Sequence, residues 1–251
     1  MKNAKVRLYV DQPLGEGQSV ALTRDQAHYL FSVMRLGSGG LVALFNGSDG
    51  EWQAEVTQTG KRGGTLNCLT QSAAQRMPPD LWLLFAPIKK ARTDFIVEKA
   101  AEMGAARILP VQTDFTNAER IRQDRLQSHA IEAAEQCGGT FVPPVDDLQK
   151  LGPVLDRWPA GRSLVFCDET LADQGLSSWQ KYSGGADQRS AGAAPLKSAI
   201  LIGPEGGFSD AERVRLRDMA HAVSLGPRIL RADTAAVAAM TLWQCKLGDW
   251  R

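Results

Sequence analysis

Cysteine is scarce and scattered. Cys68, Cys137, Cys167 and Cys245 contain no C-x-x-C pair, which argues against a structural zinc site and reads as buried thiols in a reducing cytoplasm. Histidine is rarer still, and His28, His129 and His221 share no metal-ligand spacing, so no metal is expected. Neither sign of charge is in excess: 29 Lys+Arg against 28 Asp+Glu leave a net charge of +1. That balance neither demands nor forbids a nucleic-acid partner, because a neutral chain can still carry a basic stripe. Long hydrophobic runs are missing too. The longest, Leu81 to Ile88, is too short to cross a bilayer. Residues 1–13 lack the apolar core of a secretory signal. A cytoplasmic protein with no membrane partner is therefore expected. What remains is an ordinary globular composition, 43% hydrophobic and 23% charged over 251 residues. It excludes disorder as the main state and allows one or two domains.

The rhythm changes along the chain. Residues 1–72 read as short strands: Val6–Val10, Ser19–Leu22, Leu41–Phe45, Glu51–Thr57 and Thr65–Leu69. Trp52, Ala54 and Val56 alternate onto one face, and Asn46-Gly47 and Asp49-Gly50 signal turns. One helix interrupts them, with Thr23 as N-cap, Gln26 three residues on, then Leu30, Phe31 and Met34, and Gly37 as its stop. This pattern predicts a small barrel. The polar stretch 73–80, ending in Pro78-Pro79, reads as a linker.

From residue 81 onward, continuous apolar runs alternate with helical patterns. Strands are expected at Leu81–Ala86, Arg107–Val111, Leu164–Cys167, Ser198–Ile202 and Ala222–Leu225, and helices at about 93–103, 118–137, 210–219 and 234–247. That alternation predicts an α/β domain over 81–251 with a mostly parallel sheet. Residues 183–195 are a low-complexity polar stretch, read as a surface loop.

Two segments carry the chemistry. Ile202-Gly203-Pro204-Glu205-Gly206-Gly207-Phe208-Ser209 directly follows a buried strand, and Ser209 with Glu212 forms a capping box that starts a helix. Its glycines allow a tight turn and close approach to a ligand. No Gly-Lys-Ser/Thr follows, so it is not a polyphosphate loop. An ordinary Gly-rich turn is the plainer alternative. Leu225-Gly226-Pro227-Arg228-Ile229-Leu230-Arg231-Ala232-Asp233-Thr234-Ala235 also follows a strand and leads into an Ala-rich helix. Two arginines in one tight loop suit an anion. The alternative is surface arginines, or pairing with Asp233 and Glu205. Two such loops at strand ends favour a shared ligand site, because open α/β sheets bind ligands outside the carboxyl ends of their strands.

At this point the residues match a family. The pair IGPEGGFS and LGPRILRADTA resembles the C-terminal signature of the ribosomal RNA small subunit methyltransferase E family, of the SPOUT class. The likeness extends to Ala27-His28-Tyr29-Leu30 with Val33-Met34-Arg35, to Lys99–Gly104 with Ile108-Leu109-Pro110, and to Ala133–Gly138. Two positions depart from the family pattern. Gln112-Thr113-Asp114-Phe115-Thr116 replaces a Glu-Arg pair, and Gly139 stands where Arg is usual.

The resemblance implies an N-terminal PUA-like barrel and a C-terminal domain with a trefoil knot. It implies a homodimer that uses S-adenosylmethionine to methylate N3 of a uridine in small-subunit ribosomal RNA, free or in the assembled 30S subunit. Carried onto this chain, the cofactor would meet Cys167, Asp168 and Glu169, then Leu201, Ile202, Gly203, Pro204, Glu205, Gly206 and Gly207, and then Leu225, Gly226, Ile229, Leu230, Thr234 and Ala235. From the chemistry, Arg231 is the first candidate for stabilising charge on the uracil oxygens, Arg228 the second, and Glu205 a candidate base. Phosphate binding or a structural ion pair is the alternative for each arginine. Arg7, Arg24, Arg35, Lys89, Lys90 and Arg92 are candidate RNA contacts, whereas Arg213, Arg215 and Arg217 read as a solvated face. A SPOUT enzyme acting on another RNA position, and a noncatalytic RNA-binding assembly protein, are the competing readings.

Overall fold

The structure, a computed structural model, describes residues 4–174, 177–182 and 196–250. The low-complexity stretch 183–195 lies outside the described residues. The chain divides into two compact units, Met1–Met77 with Ala134–Val142, and Pro78–Ala133 with Pro143–Arg251.

In the first unit, β1 (Arg7–Tyr9), β2 (Ser19–Ala21), β3 (Leu41–Phe45), β4 (Glu51–Gly60) and β5 (Gly63–Ala73) form one sheet in the order β1-β3-β4-β5-β2. The turn signals act as read. Gly47 and Gly50 take positive φ, and Asn46 Oδ1 accepts from the N–H groups of Ser48 and Asp49. Ala54, Val56, Leu44 and Leu66 are fully buried in the core, with Trp52 packed against it. Val56, Leu44 and Leu66 each contribute about 1.5–3 kcal/mol by leaving water.

No β1–β2 ladder closes the ring among the described residues. Gln12 covers the edge of β2 instead. Its side-chain amide donates to Ala21 O and accepts from Ala21 N, at 2.8 and 3.1 Å, as a neighbouring strand would.

The helix read at 23–37 departs from expectation. The capping box of Thr23 and Gln26 opens α1 (Arg24–Ala27), but His28–Val33 winds as a π-helix. Met34 N therefore donates to Tyr29 O, five residues back. This wider winding breaks the 3.6-residue register. Leu30 stays buried, while Met34 and Val33 turn outward. Arg35 then ends the segment at φ 55, the one described non-glycine residue with a positive φ.

Arg7 is a second correction. It pairs with Glu51 at 2.6 Å, donates to the carbonyl oxygens of Ala134, Glu135 and Gly139, and covers the Phe45 ring. Its donors are committed to the unit's own fold, not held open for RNA.

In the second unit, β6 (Leu81–Phe85), β7 (Arg107–Gln112), β8 (Gln149–Lys150), β9 (Ser163–Cys167), β10 (Ser198–Ile202) and β11 (His221–Val223) form a parallel sheet in the order β11-β9-β10-β6-β7-β8. The helices are α2 (Lys90–Glu102), α3 (Gln123–Cys137), α4 (Leu151–Asp156), α5 (Ser177–Lys181), α6 (Asp210–Met219) and α7 (Ala232–Leu247), with a 3-10 turn at Glu169–Gln174. The last turn of α3 belongs to the first unit. Strands β6 and β10 are buried on both faces, which is why they read as unbroken apolar runs.

The short elements β8, α4 and α5 escape periodicity because none is long enough to show it. The cysteine reading holds for Cys68, which is buried, but Cys137 and Cys245 are exposed. Helix α7 packs on α2 and β10 and buries Ala235, Ala236 and Ala239 inside its own unit. Its alanines thus serve close packing within the unit.

Candidate active site

Three strands, β9, β10 and β11, end side by side. The loops that leave them line one shared, partly open cleft, at the strand ends where open α/β sheets bind ligands. Cys167, Asp168 and Glu169 form one wall. Ile202, Gly203, Pro204, Glu205 and Gly207 form the second. Leu225, Gly226, Arg228, Ile229, Leu230 and Ala235 form the third. All fourteen are residues that the sequence reading assigned to the site. It missed Ala172, Val223, Ser224 and Ala232, small or apolar residues that carry no chemical signature of their own.

Four assigned residues lie off the lining. Leu201 alternates away from Ile202 into the core beneath, with Leu84 and Phe166. Gly206 turns toward Phe115, and a Cβ at 206 would lie 3.2 Å from Phe115 Cβ. Thr234 is exposed on the first turn of α7, with its hydroxyl directed to Asp233. Arg231 is the exposed N-cap residue of α7, between lining residues Leu230 and Ala232. Among the described residues, Arg228, Arg231 and Glu205 form no ion pair. Asp233 pairs with Arg92 at 3.5 Å instead, which brings the start of α2 to the start of α7. Lys89, Lys90, Arg24 and Arg35 are exposed.

The first wall rests on an ion-pair network. Arg213 donates to Asp168 at 2.5 Å and also to Glu169, while Arg217 donates to Asp168 at 3.0 Å. Thr170 adds a hydroxyl bond to Asp168 at 2.8 Å. Burial opposes the charge on Asp168, but the bonds from Thr170 and Arg217 and the charge of Arg213 outweigh it. The carboxyl is therefore held below the usual carboxylate range. This overturns the reading of Arg213, Arg215 and Arg217 as a solvated face. Arg213 and Arg217 brace the cleft, and Arg215 pairs with Asp156 at 2.6 Å. The partners lie 44 or more residues away in sequence, beyond the reach of any local pattern.

Gly207 fits beneath this network. It has φ +70, and a Cβ there would collide with the Glu169 carboxylate. Gly226, at φ +113, has nothing within 4 Å of where its Cβ would stand. Cys167 is pushed up from its ordinary value by burial and then by Asp168, so it stays a neutral thiol in the wall. The cleft thus offers apolar surface, backbone polar groups at two glycine loops, three carboxylates and one arginine. That set suits a mid-sized polar ligand with a flat apolar part. Among the described residues, no group of three or more His, Cys, Asp or Glu could hold a metal ion. No described helix is long and apolar enough to cross a membrane.

The sequence model of the RNA methyltransferase domain matches residues 75–244, and that of the RNA methyltransferase PUA domain matches residues 22–67. A parallel sheet with a ligand cleft at its strand ends, preceded by a PUA domain, is the build of an RNA methyltransferase. The chain is 28% identical over 237 residues to the ribosomal RNA small subunit methyltransferase E of Rickettsia conorii, covering 93% of each. It is 30% identical over 227 residues to that of Synechocystis, covering 88% of this chain and 71% of the relative. The crystal structure of a ribosomal RNA small subunit methyltransferase E from Neisseria gonorrhoeae bound to S-adenosyl methionine superposes with a TM-score of 0.85 at 26% identity, covering 98% and 99% of the two chains. The chain belongs to the ribosomal RNA small subunit methyltransferase E family.

Proposed function

We propose that this protein transfers a methyl group from S-adenosylmethionine to a uridine of small-subunit ribosomal RNA, at N3 of the base. The observation that carries the reading is the cleft, with its two glycine loops and its braced carboxylate wall. Leu225, Ile229, Leu230 and Ala235 offer the apolar face that an adenine ring needs. Glu169, braced beside the buried Asp168, offers an acceptor for hydroxyl or ammonium groups. When bound, the cofactor supplies a methyl group on a positively charged sulfur.

The chain's own residues must then prepare the base. Uridine N3 carries a proton, and it attacks only once that proton leaves. Negative charge then spreads to the uracil oxygens. Arg228, which lines the cleft without an ion-pair partner, is the cation we assign to that charge. Arg231, three residues on at the N-cap of α7, is second. Glu205, exposed on the first glycine loop and lining the cleft, is the base we assign to the N3 proton. Holding base and methyl donor in line would supply much of the remaining rate. Exposed Lys89 and Lys90 suit phosphate contacts, which add salt-dependent affinity without sequence choice. A homodimer, the trefoil knot and action on assembled 30S subunits complete the same reading.

Mass mapping of ribosomal RNA from a strain lacking the gene tests it. The expected result is one small-subunit uridine without its N3 methyl, restored by the gene. A missing methyl at a ribose or in transfer RNA would point to another RNA substrate, and no change would point to a noncatalytic role. The cofactor assignment is tested by glycine replacements. Gly226→Val puts a branched side chain where the backbone now leaves open space, at a φ that L residues rarely adopt. Gly207→Ala drives a methyl into Glu169. Titration calorimetry should show S-adenosylmethionine binding lost in both. The two should separate on heating, since only Gly207→Ala breaks the Glu169–Arg213 pair.

A further inference from the structure

Phe115 is one of the few large apolar residues left in solvent, with 48% of its surface exposed. It sits in the turn after β7, and that turn is unusually well braced. Thr113 is buried, its N–H donates to the Thr116 hydroxyl at 2.9 Å, and Thr116 N donates back to Thr113 O. The turn is also tied to the capping box of α6. Asp114 N donates to Glu212 Oε1 at 2.9 Å, and Asp114 Oδ2 accepts from the Ser209 hydroxyl at 2.5 Å. The ring is therefore held in place by its backbone while one side stays open to water. Its inner side lies against Gly206, where a Cβ would stand 3.7 Å from the ring. The residues on either side of Gly206, Glu205 and Gly207, line the cleft.

We infer that Phe115 is the surface on which an unpaired RNA base stacks beside the cleft, a positioning role that rests on the RNA methyltransferase reading above. The occupant follows from size and charge. Its chain neighbours Asp114 and Thr116 are polar, so along this turn the apolar surface is one residue wide, far smaller than a protein interface needs. A single flat base fits it, and proteins commonly read unpaired RNA bases by stacking them on aromatic rings. The carboxylates of Asp114, Glu205 and Glu212 offer nothing to a phosphate, so the contact is with the base and not with the backbone.

The test uses full-length protein and small ribosomal subunits from a strain lacking the gene. Phe115→Leu keeps an apolar side chain against Gly206 but removes the ring, and Phe115→Trp restores a ring. Phe115→Leu should weaken subunit binding and raise the KM for subunits about tenfold or more, the scale of one lost base stack. Phe115→Trp should return both to near the wild-type value. Cofactor affinity and melting temperature should stay unchanged in Phe115→Leu. The dependence of binding on salt should also keep its slope, because no phosphate contact is lost. Wild-type binding and KM in Phe115→Leu would overturn the inference. So would a loss that Trp fails to rescue, or one that tracks weaker cofactor binding, since the ring would then only pack Gly206. A change of oligomeric state with unchanged KM would assign the ring to a second copy of the chain, and also overturn it. A protein that shows the binding effect but transfers no methyl would overturn the proposed activity and leave the stacking role standing.

Discussion

Replacing Arg213 with Met is expected to destabilise the protein by about 3 kcal/mol, the lower end of the cost of leaving a buried charge without its partner. The Asp168 side chain is fully buried, and Arg213 is its closest cationic partner. Arg217 and Thr170 remain, but Arg217 is half exposed and holds only one oxygen. For a chain of this size the melting temperature should fall by about 6–12 °C. Cofactor binding should weaken as well, because Glu169 loses the group that orients it at the cleft wall. Asp168→Asn combined with Arg213→Met removes the stranded charge and should recover part of the stability but not the cofactor affinity. If Arg213→Met alone melts like wild type, the network does not support the wall.

The same network sets a pH dependence. Asp168 has its folded pKa depressed, so it binds protons less readily in the folded chain than in the unfolded one. Its stabilising contribution is complete above the ordinary carboxylate range, near pH 4. It is lost as pH falls below that range, through the folded value. Denaturant unfolding between pH 5 and pH 3 should show this loss, and Asp168→Asn should flatten that part of the curve.

Arg228→Ala is expected to lower the single-turnover methyl-transfer rate by about 10²–10³, the scale observed when one group that stabilises developing charge is removed. Cofactor affinity should stay within a few-fold. The selectivity arises because charge appears on the uracil oxygens only as N3 loses its proton, so a cation there favours that stage over the bound ground state. Arg228→Lys should recover only part of the rate, since a point charge lacks the planar fork of guanidinium. Raising the pH should partly rescue the Ala variant, because more uridine is already deprotonated. Arg231→Ala should cost less, as its side chain lies off the cleft lining. A full single-turnover rate for Arg228→Ala at saturating RNA, with weaker RNA binding, would make Arg228 an anchor for phosphate.

Much of this protein follows from local pattern alone. The strands Leu41–Phe45 and Ser198–Ile202 and the helix Asp210–Met219 run between the residues where periodicity and capping place them. The two glycine loops follow from strand–turn–helix grammar, and because strand ends in a parallel sheet converge, most of the cleft lining follows with them. Local pattern stops where partners are distant or winding is irregular. No spacing rule tells that Arg213 and Arg217 clamp Asp168, that Arg7 closes on the end of α3, or that Arg92 meets Asp233. In sequence, each is only one more arginine on a polar stretch. Nor does a helical wheel foresee the π-turn at His28–Val33, because the wheel assumes the 3.6-residue register that the π-turn abandons. Residue type and short-range periodicity therefore determined the elements and the glycine loops. Tertiary contact alone decided which charges are spent on the fold and which remain, like Arg228 and Glu205, without ion-pair partners at the cleft, because an ion pair is made by proximity in space and leaves no trace in order along the chain.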